Sequence, residues 1–374
     1  MKTVAFFFES DDKWAGERNY LISLITTISQ NKNILLKIFC SETDVKFLKK
    51  KKIKAQNIVS SRFFNKKSIL YYLKKILNKL FGYYNPLIFY FVKKYNIDVI
   101  SHFQPSRWCK NIAWIPDLQH RTLEENFTQI EKIRRDKLFN NYLTSSSSII
   151  TSSIDTKKKI LKYYKFDKKK IPIHVLNFVP FINFKKIKNY KKIKNTFAYL
   201  PNQFWNHKNH IVVAKACKIL RSKKINMKFL LTGNKFNQKN TNQYDLFLKY
   251  VKKNRLQNYF KYLGFVSHEK VINLVYNAKF LINPSFYEGW STTVEEGKIF
   301  NKQMILSNIN VHLEQGANKA IYFNPNNYLD LSKKLIKLKR KKSKNLNIIK
   351  LKKNYEKLRN DFLENYLKIL SYND

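Results

Sequence analysis

The feature that most constrains this chain is an alternation, repeated in two halves, of short apolar runs with longer stretches whose apolar residues recur at helical spacing. Residues 3–8 (TVAFFF) are a run of buried-strand type, residues 19–30 (NYLISLITTISQ) have helical periodicity, and residues 34–40 (ILLKIFC) are a second run. Strand, helix, strand opens a βαβ unit and hence a parallel sheet. The pattern continues through residues 97–103 (IDVISHF), 111–117 (NIAWIPD) and 147–153 (SSIITSS). It is interrupted at residues 178–195, a dense basic stretch with Pro180 and no strong period, which reads as a linker. A second alternation then runs from residues 195–201 (NTFAYLP) through 227–233 (MKFLLTG) and 260–265 (FKYLGF) to 279–285 (KFLINPS), with helical stretches between. The expected layout is an α/β fold of two doubly wound domains, residues 1–177 and 196–345, joined by the linker 178–195. Residues 346–374 are expected as an amphipathic helix packing back toward the first domain.

Two domains suit a length of 374 residues. With 44% hydrophobic and 15% aromatic residues there is enough apolar material for two cores, so the net charge of +48 does not signal disorder. That charge calls for an anionic partner (nucleic acid, anionic lipid or a phosphate-bearing substrate) or for a compositional bias that inflates Lys, Asn, Ile, Phe and Tyr together. Cys40, Cys109 and Cys217 have no CxxC spacing, which argues against a zinc site or disulfide framework and suits a reducing cytoplasm. No stretch reaches the roughly 18 apolar residues of a membrane span, and acids follow the first apolar run too soon for a signal peptide.

Against this basic background, residues 286–297 (FYEGWSTTVEEG) gather three acids. Gly289 reads as part of a turn, and Ser291, Thr292 and Thr293 as candidate caps of a helix, with Glu295 or Glu296 closing a capping box. The amides of residues 291–293 would point outward at the positive end of the helix dipole, between Glu288 in the loop and Glu296 a turn inside. Donors flanked by carboxylates suit a diphosphate flanked by hydroxyl-rich groups. Glu295 reads as a local cap or a solvated charge. Trp205 and Trp290 read as packing residues rather than sugar platforms.

Residues 284–315 (PSFYEGWSTTVEEGKIFNKQMILSNINVHLEQ) resemble the donor-site region of retaining GT-B glycosyltransferases with a Glu-x7-Glu motif, the family 4 or "group 1" type, in its bacterial surface-polysaccharide branch. Four further segments resemble the same group in order: residues 14–21 (WAGERNYL), 113–127 (AWIPDLQHRTLEENF), 200–210 (LPNQFWNHKNH) and 262–271 (YLGFVSHEKV). The resemblance implies two Rossmann-like domains facing each other across a cleft, and transfer of a sugar from a nucleotide-sugar donor with retention. It implies Glu288 on the donor sugar, Glu296 on ribose hydroxyls, Lys208 on the diphosphate, and Gly264 and Val266 around the base. Gln203 stands where the family often has Arg, so Lys235, His207 or another cation would have to supply the missing charge. The acceptor side would come from Gly16, Glu17, Asp117, His120 and Arg121, with His120 a candidate catalytic group although a lone histidine is more often structural. Neither a metal nor another cofactor is expected.

Residues 62–84 (RFFNKKSILYYLKKILNKLFGYY) interleave Lys with aromatic and aliphatic residues at helical spacing. They read either as a helix lying on an anionic membrane or as an ordinary amphipathic helix of the first domain. The expected location is the cytoplasm, with peripheral attachment to the inner face of its membrane. The competing readings are a basic nucleic-acid-binding protein, against which the scattered Lys runs at 49–52, 168–170 and 339–342 argue, and a GT-B sugar-nucleotide epimerase.

Overall fold

The computed structural model describes residues 1–9, 15–187, 190, 193, 196–235, 242–316, 320–341 and 346–372. Trp14, Lys342 and linker residues 188, 189, 191, 192, 194 and 195 lie outside the described residues. The chain divides into two compact units, Met1–Phe181 with Lys357–Asp374, and Ile182–Glu356.

The first unit is built on seven strands: β1 (Lys2–Phe8), β2 (Ile34–Cys40), β3 (Ile58–Ser60), β4 (Val99–Ser101), β5 (Lys110–Trp114), β6 (Ser148–Thr151) and β7 (Ile173–Val175). They lie in the order β3-β2-β1-β4-β5-β6-β7, and the pairs are parallel. Helices cover both faces, so the central strands are apolar along their whole length rather than alternating. Successive β1 side chains still point to opposite faces. Phe7 stacks on Phe39 at 4.9 Å in one core cluster, while Phe6 meets the ring of Tyr366 at 6.5 Å on the other side. Tyr366 belongs to the helix Ile348–Ser371, whose later part belongs to this unit. Lys2 Nζ donates to the Leu370 carbonyl at 3.3 Å, and Arg359 Nη2 to Thr26 Oγ1 at 3.4 Å.

The second unit has six strands: β8 (Ala198–Leu200), β9 (Phe229–Leu231), β10 (Phe260–Tyr262), β11 (Phe280–Asn283), β12 (Gln303–Ser307) and β13 (Ala320–Phe323). Their order is β10-β9-β8-β11-β12-β13, again parallel. The strand order reverses direction between β8 and β11, which makes the crevice beyond their carboxyl ends the place where such sheets take ligands. The stretch read as a linker contains a short helix, Phe184–Ile187, with Phe184 and Ile187 buried, because its apolar residues pack on this unit. The Phe184 ring lies 5.1 Å from that of Tyr355.

Candidate functional site

The loop after β8 holds Lys208 and the loop after β11 holds Glu288, so strand order alone brings together residues eighty positions apart. Lys208 Nζ donates to Glu288 Oε1 at 2.7 Å and to Oε2 at 2.8 Å, leaving one of its three N–H groups. Glu288 Oε1 also faces Ser285 Oγ at 2.7 Å and Asn283 Nδ2 at 3.2 Å. Oε1 is thus crowded by the protein, whereas Lys208 is the partner of Oε2. Burial works to raise the Glu288 pKa, but Lys208, helped by His312 and His207, overrides it and brings the carboxyl down to about 2. Glu288 is an anion at every physiological pH.

Behind the pair is a wall of hydrogen bonds. Asn283 Nδ2 reaches Ser291 Oγ at 2.8 Å, Asn202 Nδ2 reaches Asn283 Oδ1 at 3.1 Å, and Ser307 Oγ donates to the Ser285 carbonyl at 2.5 Å. His312 is fully buried, with Nδ1 2.9 Å from the Ser307 carbonyl and no partner for Nε2. The loop carrying Lys208 is fixed by Asn209, in the left-handed region at φ 50°, whose Nδ2 donates to the carbonyls of Pro284 and Pro325.

The helix expected from the Ser-Thr-Thr run is present as Thr292–Ile299, with Ser291 as its N-cap accepting from the Val294 amide. The expected capping box is not formed, because the residue three after the cap is Val294 and not a glutamate. The amides also divide differently from the expectation. The Ser291 N–H donates to Gln315 Oε1 at 3.3 Å, and Gln315 Nε2 returns to the Ser291 carbonyl at 3.0 Å and to Glu295 Oε1 at 2.8 Å. Among the three, only the Thr292 and Thr293 amides have no protein acceptor. Glu295 is not solvated: it is buried between Gln315 and Lys298, and burial raises its pKa against their pull. Gly297 lets this helix lie against the sheet, since a Cβ there would stand 2.5 Å from Met304 Sδ.

Glu296 is 2% exposed and its Oε1 lies 2.9 Å from His268 Nε2. Gly264, at φ +80°, accepts from the Gly233 amide at 3.0 Å, with Val266 half-buried beside it. Gly289 is in the turn before the helix, next to half-buried Trp290. Gln203 and Trp205 are half-buried on the loop after β8. The two proposed replacements for the missing charge differ: a histidine whose burial keeps it neutral, and a lysine that keeps its charge. Burial pushes His207 down to about 3, so its imidazole is neutral, and the Lys235 ammonium lies over the rings of Tyr244 (4.8 Å) and Tyr262 (5.4 Å).

In the first unit, His120, the candidate catalytic group of the acceptor side, is held by neighbouring side chains. It is fully buried, with Nε2 3.0 Å from Asp136 Oδ1 and 3.2 Å from the Tyr164 hydroxyl, and burial lowers its pKa. Arg121 grips the same Asp136 with two nitrogens, Nε at 2.9 Å and Nη2 at 2.6 Å. Asp117 Oδ1 accepts from the Gln119 amide at 3.0 Å at the start of the short helix Gln119–Thr122. Gly16 is exposed and Glu17 half-buried in the first turn of the helix Ala15–Ile28. Ser285, Asn283, Gln315, His312 and His268 were not singled out from the sequence. They are common polar residues, and only the register of β8, β11 and β12 brings most of them together.

Residues 180–355 match the family model described as "Glycosyl transferases group 1". No curated protein sequence matches the chain. Among solved structures, HepE from Anabaena in complex with UDP and glucose is 13% identical, with a TM-score of 0.68 and coverage of 99% of this chain and 100% of that one. A mutant of S. aureus TarM in complex with fondaparinux, α-GlcNAc-glycerol and UDP is 12% identical, with a TM-score of 0.64 and coverage of 99% and 100%. A glycosyltransferase from Rickettsia africae is 18% identical, with a TM-score of 0.61 and coverage of 97% and 94%. These likenesses establish the fold, two parallel-sheet α/β domains of the GT-B type. The second unit, which carries the Lys208–Glu288 pair at the point where the strand order reverses, is the part of the chain that matches this family model.

Proposed function

We propose that the protein is a retaining hexosyltransferase. It would move a sugar from a nucleoside diphosphate to a glycan or lipid-linked acceptor in cell-surface polysaccharide or lipopolysaccharide synthesis, working without a metal at the cytoplasmic face of a membrane. The observation that carries the reading is the Lys208–Glu288 ion pair beside the unclaimed amides of Thr292 and Thr293. The remaining Lys208 N–H and the two amides are donors for the diphosphate, and Glu288 Oε2 is an acceptor for a sugar hydroxyl. Glu296 and His268 form a second polar site one helical turn further along, suited to ribose.

In the transfer, the bond from the anomeric carbon to the phosphate oxygen breaks with its electron pair going to the phosphate. The acceptor oxygen bonds to that carbon on the same face, and its proton passes to the departing phosphate. Fixed donors at the phosphate and the Glu288 anion near the developing positive charge lower the barrier by electrostatics and positioning. Since HepE and TarM are described with UDP, the donor screen begins with UDP-hexoses. Thermal shifts identify the donor that binds, and NMR of the product reads the anomeric configuration. Lys208→Ala and Glu288→Ala are each expected to lower kcat at least about a hundredfold with the fold intact. Full activity in either variant, or a product of inverted configuration, overturns the mechanism. Epimerised donor formed without acceptor would point to an epimerase.

A further inference from the structure

The helix Ile69–Phe81 in the first unit packs half-buried Leu77 against the core yet turns a second apolar face outward. Its one fully buried side chain is a lysine, Lys74, 3% exposed, paired with Glu9 at 2.5 Å and lying over the rings of Tyr71 and Phe64 at 4.6 and 4.8 Å. Its apolar stripe faces outward: Ile69, Tyr72, Leu73, Ile76 and Leu80 are all exposed, Ile69 at 85% and Leu80 at 70%. These positions recur at intervals of three and four, so they form one continuous line down the helix. Lys75 and Lys79 run along one edge of that line. The next helix, Pro86–Tyr95, packs beside it and adds exposed Phe89 and Tyr90, followed by Lys93 and Lys94. The two helices are locked together through Asn85, which hydrogen-bonds Asn78 and whose carbonyl accepts from Trp108 Nε1 at 3.0 Å.

A row of large apolar side chains held in water by a buried, neutralised lysine marks a surface that meets something apolar. Charge decides between occupants. Residues 62–95 contain eight Lys and Arg and no Asp or Glu. A second copy seated on the same face would bring the same uncompensated positive charge against it, whereas anionic headgroups complement it. Tyr72, Tyr83, Tyr84 and Tyr90 are exposed on or beside the stripe, rings of the kind that sit at headgroup depth.

We propose that the helices Ile69–Phe81 and Pro86–Tyr95 form a docking face for an anionic lipid bilayer. The apolar stripe enters the boundary between headgroups and acyl chains, and the flanking lysines contact the headgroup charge. The proposal deepens the reading of a lipid-linked acceptor and rests on it for its biological sense, but docking is measured without any sugar transfer.

The full chain is sedimented with vesicles of phosphatidylcholine alone and of phosphatidylcholine with phosphatidylglycerol, at low and high salt. Wild type is expected to bind the anionic vesicles, less tightly as salt rises. Ile76→Ser with Leu80→Ser should weaken that binding about tenfold or more. Lys75→Gln with Lys79→Gln should weaken it about tenfold and flatten the salt dependence. All four side chains are exposed, so circular dichroism and the melting temperature should be unchanged. Equal binding to neutral and anionic vesicles, or variants that bind like wild type, overturns the proposal. A wild-type dimer that the Ile76/Leu80 variant dissociates, without vesicle binding, assigns the face to a second copy instead. Thermal shift by the nucleotide sugar is followed in the same samples. Its persistence when vesicle binding is absent refutes the docking face alone, and its absence while vesicles bind refutes the transfer reading alone.

Discussion

Lys208 and Glu288 form a largely buried ion pair, and their coupling fixes how the site responds to pH. A carboxyl at about 2 in the folded chain, against 4.5 ordinarily, contributes about 3 kcal/mol of stability above pH 5. Since the folded value is the lower one, that contribution is lost as pH falls from about 4.5 through about 2. Glu288→Gln should remove this part of the acid sensitivity while lowering stability at pH 7, because Lys208 then loses its anion. Urea denaturation at pH 7 and pH 3 measures both effects, and an unchanged pH dependence would refute the pairing. Glu288, Lys208 and Glu296 were singled out in the sequence through the family resemblance of their segments, and the strand order brings the first two together. The neutral state of His207 was not legible there, since it comes from burial that a string of letters does not display. The partner of His120 was hidden for the same reason: Asp136, sixteen residues later, is what it bonds.

The helix Thr292–Ile299 depends for its start on a residue outside it. Gln315, the residue that immediately follows the short helix Asn310–Glu314, bonds the amide and carbonyl of Ser291 and one oxygen of Glu295. Gln315→Ala leaves the buried Ser291 N–H without an acceptor, while the Ser291 carbonyl and Glu295 Oε1 keep the Glu295 amide and Lys298 as donors, and is expected to cost about 1–3 kcal/mol. It should also raise the donor KM about tenfold by loosening the Thr292 and Thr293 amides; a normal KM with lowered stability would limit Gln315 to a structural role. Gly233 ties the loop after β8 to that after β9. At φ +137° it stands where a Cβ would lie 2.4 Å from the Asn202 carbonyl oxygen, so Gly233→Ala should destabilise the second unit by about 2 kcal/mol or more. Melting temperature checks this. The central strands of both sheets were readable as apolar runs. The edge strands β3 and β7, three residues each, were too short to show any period, and β12 and β13 followed the motif that drew attention to itself.

Across the whole molecule, six of the seven histidines have pKa values pushed down by burial: His102, His120, His174, His207, His210 and His312. Below their ordinary value of 6.5 the unfolded chain takes up protons that the folded chain refuses, so stability declines as pH falls from about 6.5. The slope approaches about 1.4 kcal/mol per pH unit for each histidine involved. Melting temperatures between pH 7 and pH 5 should fall steadily, and a flat profile would contradict the burial. The two-sheet architecture was visible in the alternation of runs and helices, while residues 62–84 stayed open between a membrane-lying helix and an ordinary amphipathic one, because periodicity gives a face without saying which way it turns. The first unit, finally, is discontinuous: residues 1–181 are completed by residues 357–374, with the second unit's residues between. On the ribosome its seven strands emerge early, but the helix that buries Tyr366 against Phe6 emerges only after the whole second sheet has been translated. The second unit can therefore finish folding first, and the earlier-made unit waits for its last helix with that face of its sheet uncovered.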